Sequence, residues 1–228
     1  MSGYFLYILE GAALTVAVSL LSLAVAIALG LLGASAKLSG QPLLVRAATA
    51  YTTLIRGIPE LVLMLLIYYG GTIGLNHLLE YMGITESVDI NPFAAGVLTI
   101  GFIYGAYMTE TFRGAIRAVP KGQMEAAWAF GMSRRFTFWR ITLPQMVRYA
   151  LPGFTNNWLV LIKATALVSL VGLQEMTYRA KQAGSATRDP FVFLLFAAGL
   201  FLAYTSISLW VLRKVNARYS LGTKRAKL

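Results

Sequence analysis

Five stretches of the chain are apolar on every face, and the joints between them are rich in charge, glycine or proline. They run approximately over 6–36, 51–76, 92–112, 151–173 and 191–212, each near the roughly 20 apolar residues that an α-helix needs to cross a bilayer. Membrane β-strands would instead alternate over about ten residues. The pattern predicts an all-α integral membrane protein of five transmembrane helices, with the whole of 1–228 forming one transmembrane domain. The first stretch carries Glu10 as its only charge and lacks the positive start and short core of a cleaved signal peptide, so it is expected to remain as span one. The second is cleanest over 61–75, after an interruption at Gly57-Ile58-Pro59-Glu60 and before Asn76-His77.

Charge orients this bundle. The joint before span two holds Lys37 and Arg46 without an acid. The joint over 113–148 holds Arg113, Arg117, Lys121, Arg134, Arg135, Arg140 and Arg148 against Glu125 alone. The tail adds Arg213, Lys214, Arg218, Lys224, Arg225 and Lys227, while the joint over 77–91 holds Glu80, Glu86 and Asp89. Basic joints stay cytoplasmic, which puts the N-terminus outside and the C-terminus inside. The joint over 174–190, with Arg179, Lys181 and Arg188, then lies outside, where a solvated loop is expected ahead of a short helix along the outer surface.

Composition narrows the chemistry. With 57% hydrophobic and 13% charged residues, a soluble enzyme is excluded. No cysteine and one histidine, His77, remove thiolate, iron–sulfur and histidine-rich metal sites. The net charge of +11 reports orientation in a membrane protein and calls for no nucleic acid. No Gly-x4-Gly-Lys-Ser/Thr loop occurs in the sequence, so ATP hydrolysis has no place in this chain.

The long basic joint is too patterned for a linker. Residues 122–131 form a helix closed by Gly131. Ser133 caps a second short helix over 134–142, and Pro144 is placed to stop it. The pair makes a cytoplasmic hairpin. A DNA-reading helix-turn-helix is a poor alternative, because the second helix carries Phe136, Phe138 and Trp139 and both ends are wired into spans.

Glu125-Ala126-Ala127, Gly131, Ile141, Leu143 and Pro144 resemble the EAA loop of ABC-importer permease subunits. The likeness extends along the chain through Ile55-Arg56-Gly57-Ile58-Pro59, Ala106-Tyr107-Met108-Thr109-Glu110, Lys121-Gly122-Gln123, Asn156-Asn157-Trp158 and Leu161-Ile162-Lys163-Ala164-Thr165. It points to the polar amino acid branch, most closely to permeases for histidine, arginine, lysine and ornithine. Many relatives for neutral or acidic amino acids carry an acid after the lysine, where this chain has Ala164.

The resemblance implies that Lys121, Gly122, Glu125, Ala126, Ala127 and Gly131 couple to a separate ATPase subunit that binds ATP and Mg; this chain itself holds no cofactor. It also implies a second permease chain, identical or homologous, an extracytoplasmic amino acid-binding protein, and a multi-pass place among the lipids of a bacterial inner membrane. Alternating access would carry a basic amino acid inward. A permease for glutamine or glutamate, a secondary transporter and a membrane anchor for a cytoplasmic protein are the alternatives, although a secondary transporter would show more spans and an inverted repeat.

Charges inside spans cost roughly 2.5 to 3.5 kcal/mol unless they face protein or water. Lys163 stands at the middle of span four and Asn156, seven residues earlier, shares its face. Lys163 either meets a substrate carboxylate or pairs with Glu110, which also has Arg113 at helix-surface spacing. Glu60 follows Pro59 as an ordinary helix start, yet its carboxylate at a break in a span suits a guanidinium, ammonium or imidazolium group. With Asn157 and Thr165, these residues make up the candidate substrate path.

Overall fold

A computed structural model describes residues 2–84 and 88–219; Glu86, Lys224, Arg225 and Lys227 lie outside them. All regular structure among the described residues is helical. Its elements are α1 (Ser2–Leu38), α2 (Pro42–Gly57), α3 (Glu60–Leu65), a π turn over Leu66–Gly70, α4 (Gly71–Tyr81), α5 (Pro92–Ala118), α6 (Lys121–Ala129), α7 (Arg134–Thr137), a second π turn over Phe138–Thr142, α8 (Leu143–Ala164), a 3-10 segment over Thr165–Val171, α9 (Met176–Thr187) and α10 (Pro190–Tyr219). Five continuous helical runs, Gly3–Leu38, Glu60–Tyr81, Pro92–Ala118, Arg134–Val171 and Pro190–Tyr219, are long and apolar enough to cross a bilayer.

The core is a seam of α1 against α5, with α8 also packed on α5 and touching α1. Tyr104, Ile100, Ile103 and Met108 of α5 and Leu161 and Ile162 of α8 are fully buried there. Small residues make the seam possible: a Cβ on Gly101 would stand 2.6 Å from Val25 Cβ. Helices in lipid gain stability from such close backbone approach, since burying apolar surface gains nothing over lipid tails. Ser22 Oγ adds a bond across the seam to the Val97 carbonyl at 3.2 Å.

Three elements differ from the sequence reading. The second span was expected from residue 51, but the spanning run begins at Glu60, and 51–57 belong to α2. Ile58 (φ −110°, ψ 139°) and Pro59 (φ −56°, ψ 135°) are extended, because proline drives the residue before it out of the helical region. Pro144 does not stop the second hairpin helix. It sits in the first turn of α8, and the run from Arg134 continues unbroken into span four. The wider turn over Phe138–Thr142 takes up the ring and the missing N–H that would otherwise break a regular helix. The joint over 174–190, expected as a solvated loop, is helical: α9 fills it, buries Met176, Ala180, Ala183 and Gly184, and packs on α1 and α10.

Candidate functional site

The hairpin is set by its ends. Pro120, extended at φ −61° and ψ 125°, precedes α6. Gly131 closes the helix at φ +80°, a conformation that favours glycine, with bonds from Gly131 N to Trp128 O at 2.9 Å and from Met132 N to Ala127 O at 3.0 Å. These satisfy the last carbonyls of the helix. Ser133 Oγ then accepts from Phe136 N at 3.3 Å to start α7. Gln145 at the foot of α8 donates through Nε2 to Gln123 Oε1 at 2.6 Å, tying α6 to span four.

Almost nothing in this hairpin is turned inward. Only Ala127 of α6 is buried, while Lys121, Gly122, Glu125, Ala126 and Gly131 are exposed. Phe130 is 89% and Trp139 64% exposed, with Trp128, Phe136 and Phe138 also open. Arg134 lies over the Trp128 ring at 5.7 Å. The surface is a set of large aromatic faces beside Glu125 and bordered by bases, a composition characteristic of protein interfaces.

The in-span polar residues divide into satisfied and open groups. Glu110 is satisfied: Lys37 Nζ reaches its Oε1 at 2.5 Å, and Arg113 holds its Oε2 through Nη2 at 2.7 Å and Nε at 2.9 Å. Lys37 also donates to Thr52 Oγ1 at 2.7 Å, so this cluster joins α1, α2 and α5. The Arg113 pairing is the local one expected from spacing; the pairing of Glu110 with Lys163 is not what forms. Sequence reading treated Lys37 as an orienting base only, because a partner 73 positions away leaves no local signal.

Asn157 is buried and donates through Nδ2 to Thr111 Oγ1 at 3.0 Å, pinning α8 to α5. Thr165 is buried and bonds the Ile162 carbonyl at 2.6 Å. Asn156 and Lys163 lie on the opposite, exposed face of the same run. No acid lies within salt-bridge distance of Lys163 among the described residues.

Glu60 is the open acid. It is half-buried at the start of α3, and Tyr104 O–H donates to its carboxylate, 3.0 Å from each oxygen. The Tyr104 ring meets that of Tyr107 at 5.6 Å, and the Arg56 guanidinium stands over Tyr107 at 5.3 Å. Every other in-span acid among the described residues has a basic neighbour: Glu10 has Arg179, Glu80 has His77, and Glu110 has two. A carboxylate oriented by tyrosine and lacking a basic partner has the chemistry to accept a cation.

A further acid, Glu175, gave no signal in the sequence because it lies in a polar joint. It is 1% exposed, accepts from Tyr178 N at 2.9 Å as the N-cap of α9, and receives Thr15 Oγ1 at 3.2 Å. Burial pushes its carboxyl above the usual range, opposed by hydrogen bonds from the backbone of Thr177 and Tyr178 and from Thr15. Nearby, Arg179 reaches Glu10 at 2.9 Å and lies over the Tyr7 ring at 4.4 Å, locking α9 to α1.

The family model described as binding-protein-dependent transport system inner membrane component matches residues 26–220. The chain is 51% identical over 226 residues to the histidine/lysine/arginine/ornithine transport system permease protein HisQ of Salmonella typhimurium, covering 99% of each. It is 40% identical over 217 residues to the octopine transport system permease protein OccQ of Rhizobium radiobacter, covering 95% of this chain and 92% of that one. Among solved structures, an amino acid ABC transporter crystallised with histidines is similar at a TM-score of 0.80 and 29% identity, covering 96% of both chains.

Proposed function

Because this chain belongs to the family of binding-protein-dependent transport system inner membrane components, and is thus an ABC-transporter permease, we propose that it carries basic amino acids across a bacterial inner membrane. It works as one of two permease chains, with an ATPase subunit on the hairpin and an amino acid-binding protein delivering substrate from outside. The observation that carries this reading is the hairpin surface: Phe130, Trp139 and their neighbours are exposed beside Glu125, and large aromatic faces of this kind are the usual anchors of a protein interface.

The continuity of the run from Arg134 to Val171 supplies the mechanism. Motion of a docked ATPase enters α7 directly and reaches Asn156 and Lys163 without crossing a loop. ATP and Mg belong to that partner, which supplies the work. Closure of the motor tilts span four against α5 and opens the path outward; release returns it inward.

Two observations support cationic cargo. Relatives are named for histidine, lysine, arginine, ornithine and octopine transport, and Glu60 offers an in-span carboxylate without a basic partner, beside the faces of Tyr104 and Tyr107. In this reading Glu60 meets the cationic side chain and Lys163 the α-carboxylate. Glu110 holds the helices around them.

The test is ATP-dependent uptake by proteoliposomes containing the assembled transporter and its binding protein, offered labelled arginine, histidine, glutamine or glutamate. Uptake of the first two alone is expected. Uptake of glutamine or glutamate overturns the cargo and keeps the permease, whereas uptake that persists without ATP overturns the coupling.

A further inference from the structure

The base and the acid that bracket the break before span two do not meet. Arg56 lies in the last turn of α2 and Glu60 opens α3, a separation of four positions that would bring them together on one face of a continuous helix. The extended Ile58 and Pro59 interrupt that face. Neither residue has an oppositely charged partner within salt-bridge distance among the described residues. The acid one turn beyond Tyr107 on α5, Glu110, is already held by Lys37 and Arg113.

What joins Arg56 to Glu60 is aromatic. The Tyr104 hydroxyl donates to Glu60 at 3.0 Å, the Tyr104 and Tyr107 rings meet at 5.6 Å with a tilt of 32°, and the Arg56 guanidinium lies over Tyr107 at 5.3 Å. Tyr104 is 2% exposed, so its faces are covered, whereas Tyr107 is only half-buried. The ring of this pair that a newcomer can reach is therefore Tyr107, and a guanidinium of the chain's own lies over it.

A guanidinium or ammonium group drawn to Glu60 binds more tightly when an aromatic face lies beside the carboxylate, because the ring quadrupole adds to the ion pairing. Arg56 contends for that face, and its charge opposes a second cation close by. Its side chain is exposed and makes no ion pair among the described residues, so leaving the ring breaks none. We infer that Arg56 is a resident competitor for the cation of the cargo: it covers Tyr107 and leaves when the side chain of a basic amino acid settles beside Glu60, an inference that rests on Glu60 being the proposed contact for that side chain. The competition limits affinity. A path must hold its cargo weakly enough to let it go, and the return of Arg56 to the ring favours release.

The test is equilibrium binding of labelled arginine, titrated into the millimolar range, to the assembled transporter in nanodiscs, with citrulline as the neutral control because it carries a urea in place of the guanidinium. Arg56→Gln is expected to bind arginine about two- to fivefold more tightly than wild type, the scale of one exposed cation–π contact, and to leave citrulline unchanged. Arg56→Lys keeps a cation over the ring and should restore wild-type affinity. Glu60→Gln should weaken arginine at least about tenfold. Unchanged or weaker arginine binding by Arg56→Gln, with the Glu60→Gln loss intact, overturns the competitor and keeps the Glu60 contact. Equal tightening of citrulline overturns it as well, since volume rather than charge would then be at work. Arginine binding that Glu60→Gln leaves untouched, or no saturable binding by the wild type, overturns the Glu60 contact and the competitor together.

Discussion

Two short helices flank span four, and they use their residues in opposite ways. The one that follows it, α9, buries Met176, Ala180, Ala183 and Gly184 and is pinned to α1 through Glu175 and Arg179. The one that precedes it, α6, buries only Ala127 and leaves Trp128 and, just beyond its end, Phe130 in the open. Neither is a linker. A chain that packs α9 this closely and still leaves aromatics bare on α6 presents the surface that the proposed docking of an ATPase subunit requires. The packing of α9 belongs to the fold of this chain, and the proposed function gives the bare surface of α6 to the assembly.

Reversing the charge on α6 is the strongest way to separate the two. Glu125→Lys is expected to reduce ATP-dependent uptake in proteoliposomes below about a tenth of wild type, because mispairing a charge in a docked interface costs roughly 2 to 5 kcal/mol. The melting temperature of the purified chain should stay unchanged, as Glu125 makes no ion pair among the described residues. Loss of fold together with uptake would place Glu125 in the structure of this chain and undo the contrast.

Phe130→Ala sharpens the same point. With 89% of the residue exposed, the chain's own stability should change by less than about 0.5 kcal/mol. Its affinity for the ATPase subunit, measured by titration in detergent, should fall by about 2 kcal/mol, or roughly thirtyfold. Unchanged affinity would leave the aromatic surface without its assigned partner.

The α9 side should respond in the reverse sense. A Cβ on Gly184 would stand 2.6 Å from Pro190 Cα, a backbone atom with no room to yield. Gly184→Leu should therefore destabilise the chain by about 1 to 3 kcal/mol, read as a lower melting temperature, while ATPase affinity holds. A stable Gly184→Leu protein would show that α9 is loosely seated.

The sequence displayed one of these helices and hid the other for physical reasons. The five apolar runs, the glycine closing α6 and the Ser133 cap are local signals, written within a few residues. The cap of α9 is local too, but Glu175 lies among polar residues that read equally well as loop, and its role appears only when Thr15, 160 positions away, arrives beside it. Pro144 misled because a proline reads as a stop unless the turn before it widens, and nothing in Phe138–Thr142 announces a π turn. Glu110 shows the same limit: its Arg113 partner was legible at i+3, whereas Lys37 was not, and the two together leave nothing for Lys163. Local chemistry survives in a sequence; the choice among distant partners is made by packing.

The smallest effect tests whether the seating of α9 is electrostatic as well as steric. Burial raises the Glu175 carboxyl above its ordinary value of 4.5, so the folded chain binds a proton at a higher pH than the unfolded one. Above the folded pKa both states are ionised and the folded state bears the desolvation of the charge. As pH falls through the folded pKa, the carboxyl protonates only in the folded chain and stability rises, until the unfolded chain also protonates near 4.5 and the gain levels off. Glu175→Gln keeps a side-chain oxygen for Tyr178 N and removes the charge. It should flatten this rise and shift stability at neutral pH by less than about 1 kcal/mol, the scale of a single helix cap. Melting curves from pH 7.5 to 5 on the two proteins decide the matter: parallel curves would mean that Glu175 reaches water, and that α9 is held by its small residues and the Arg179 clasp alone.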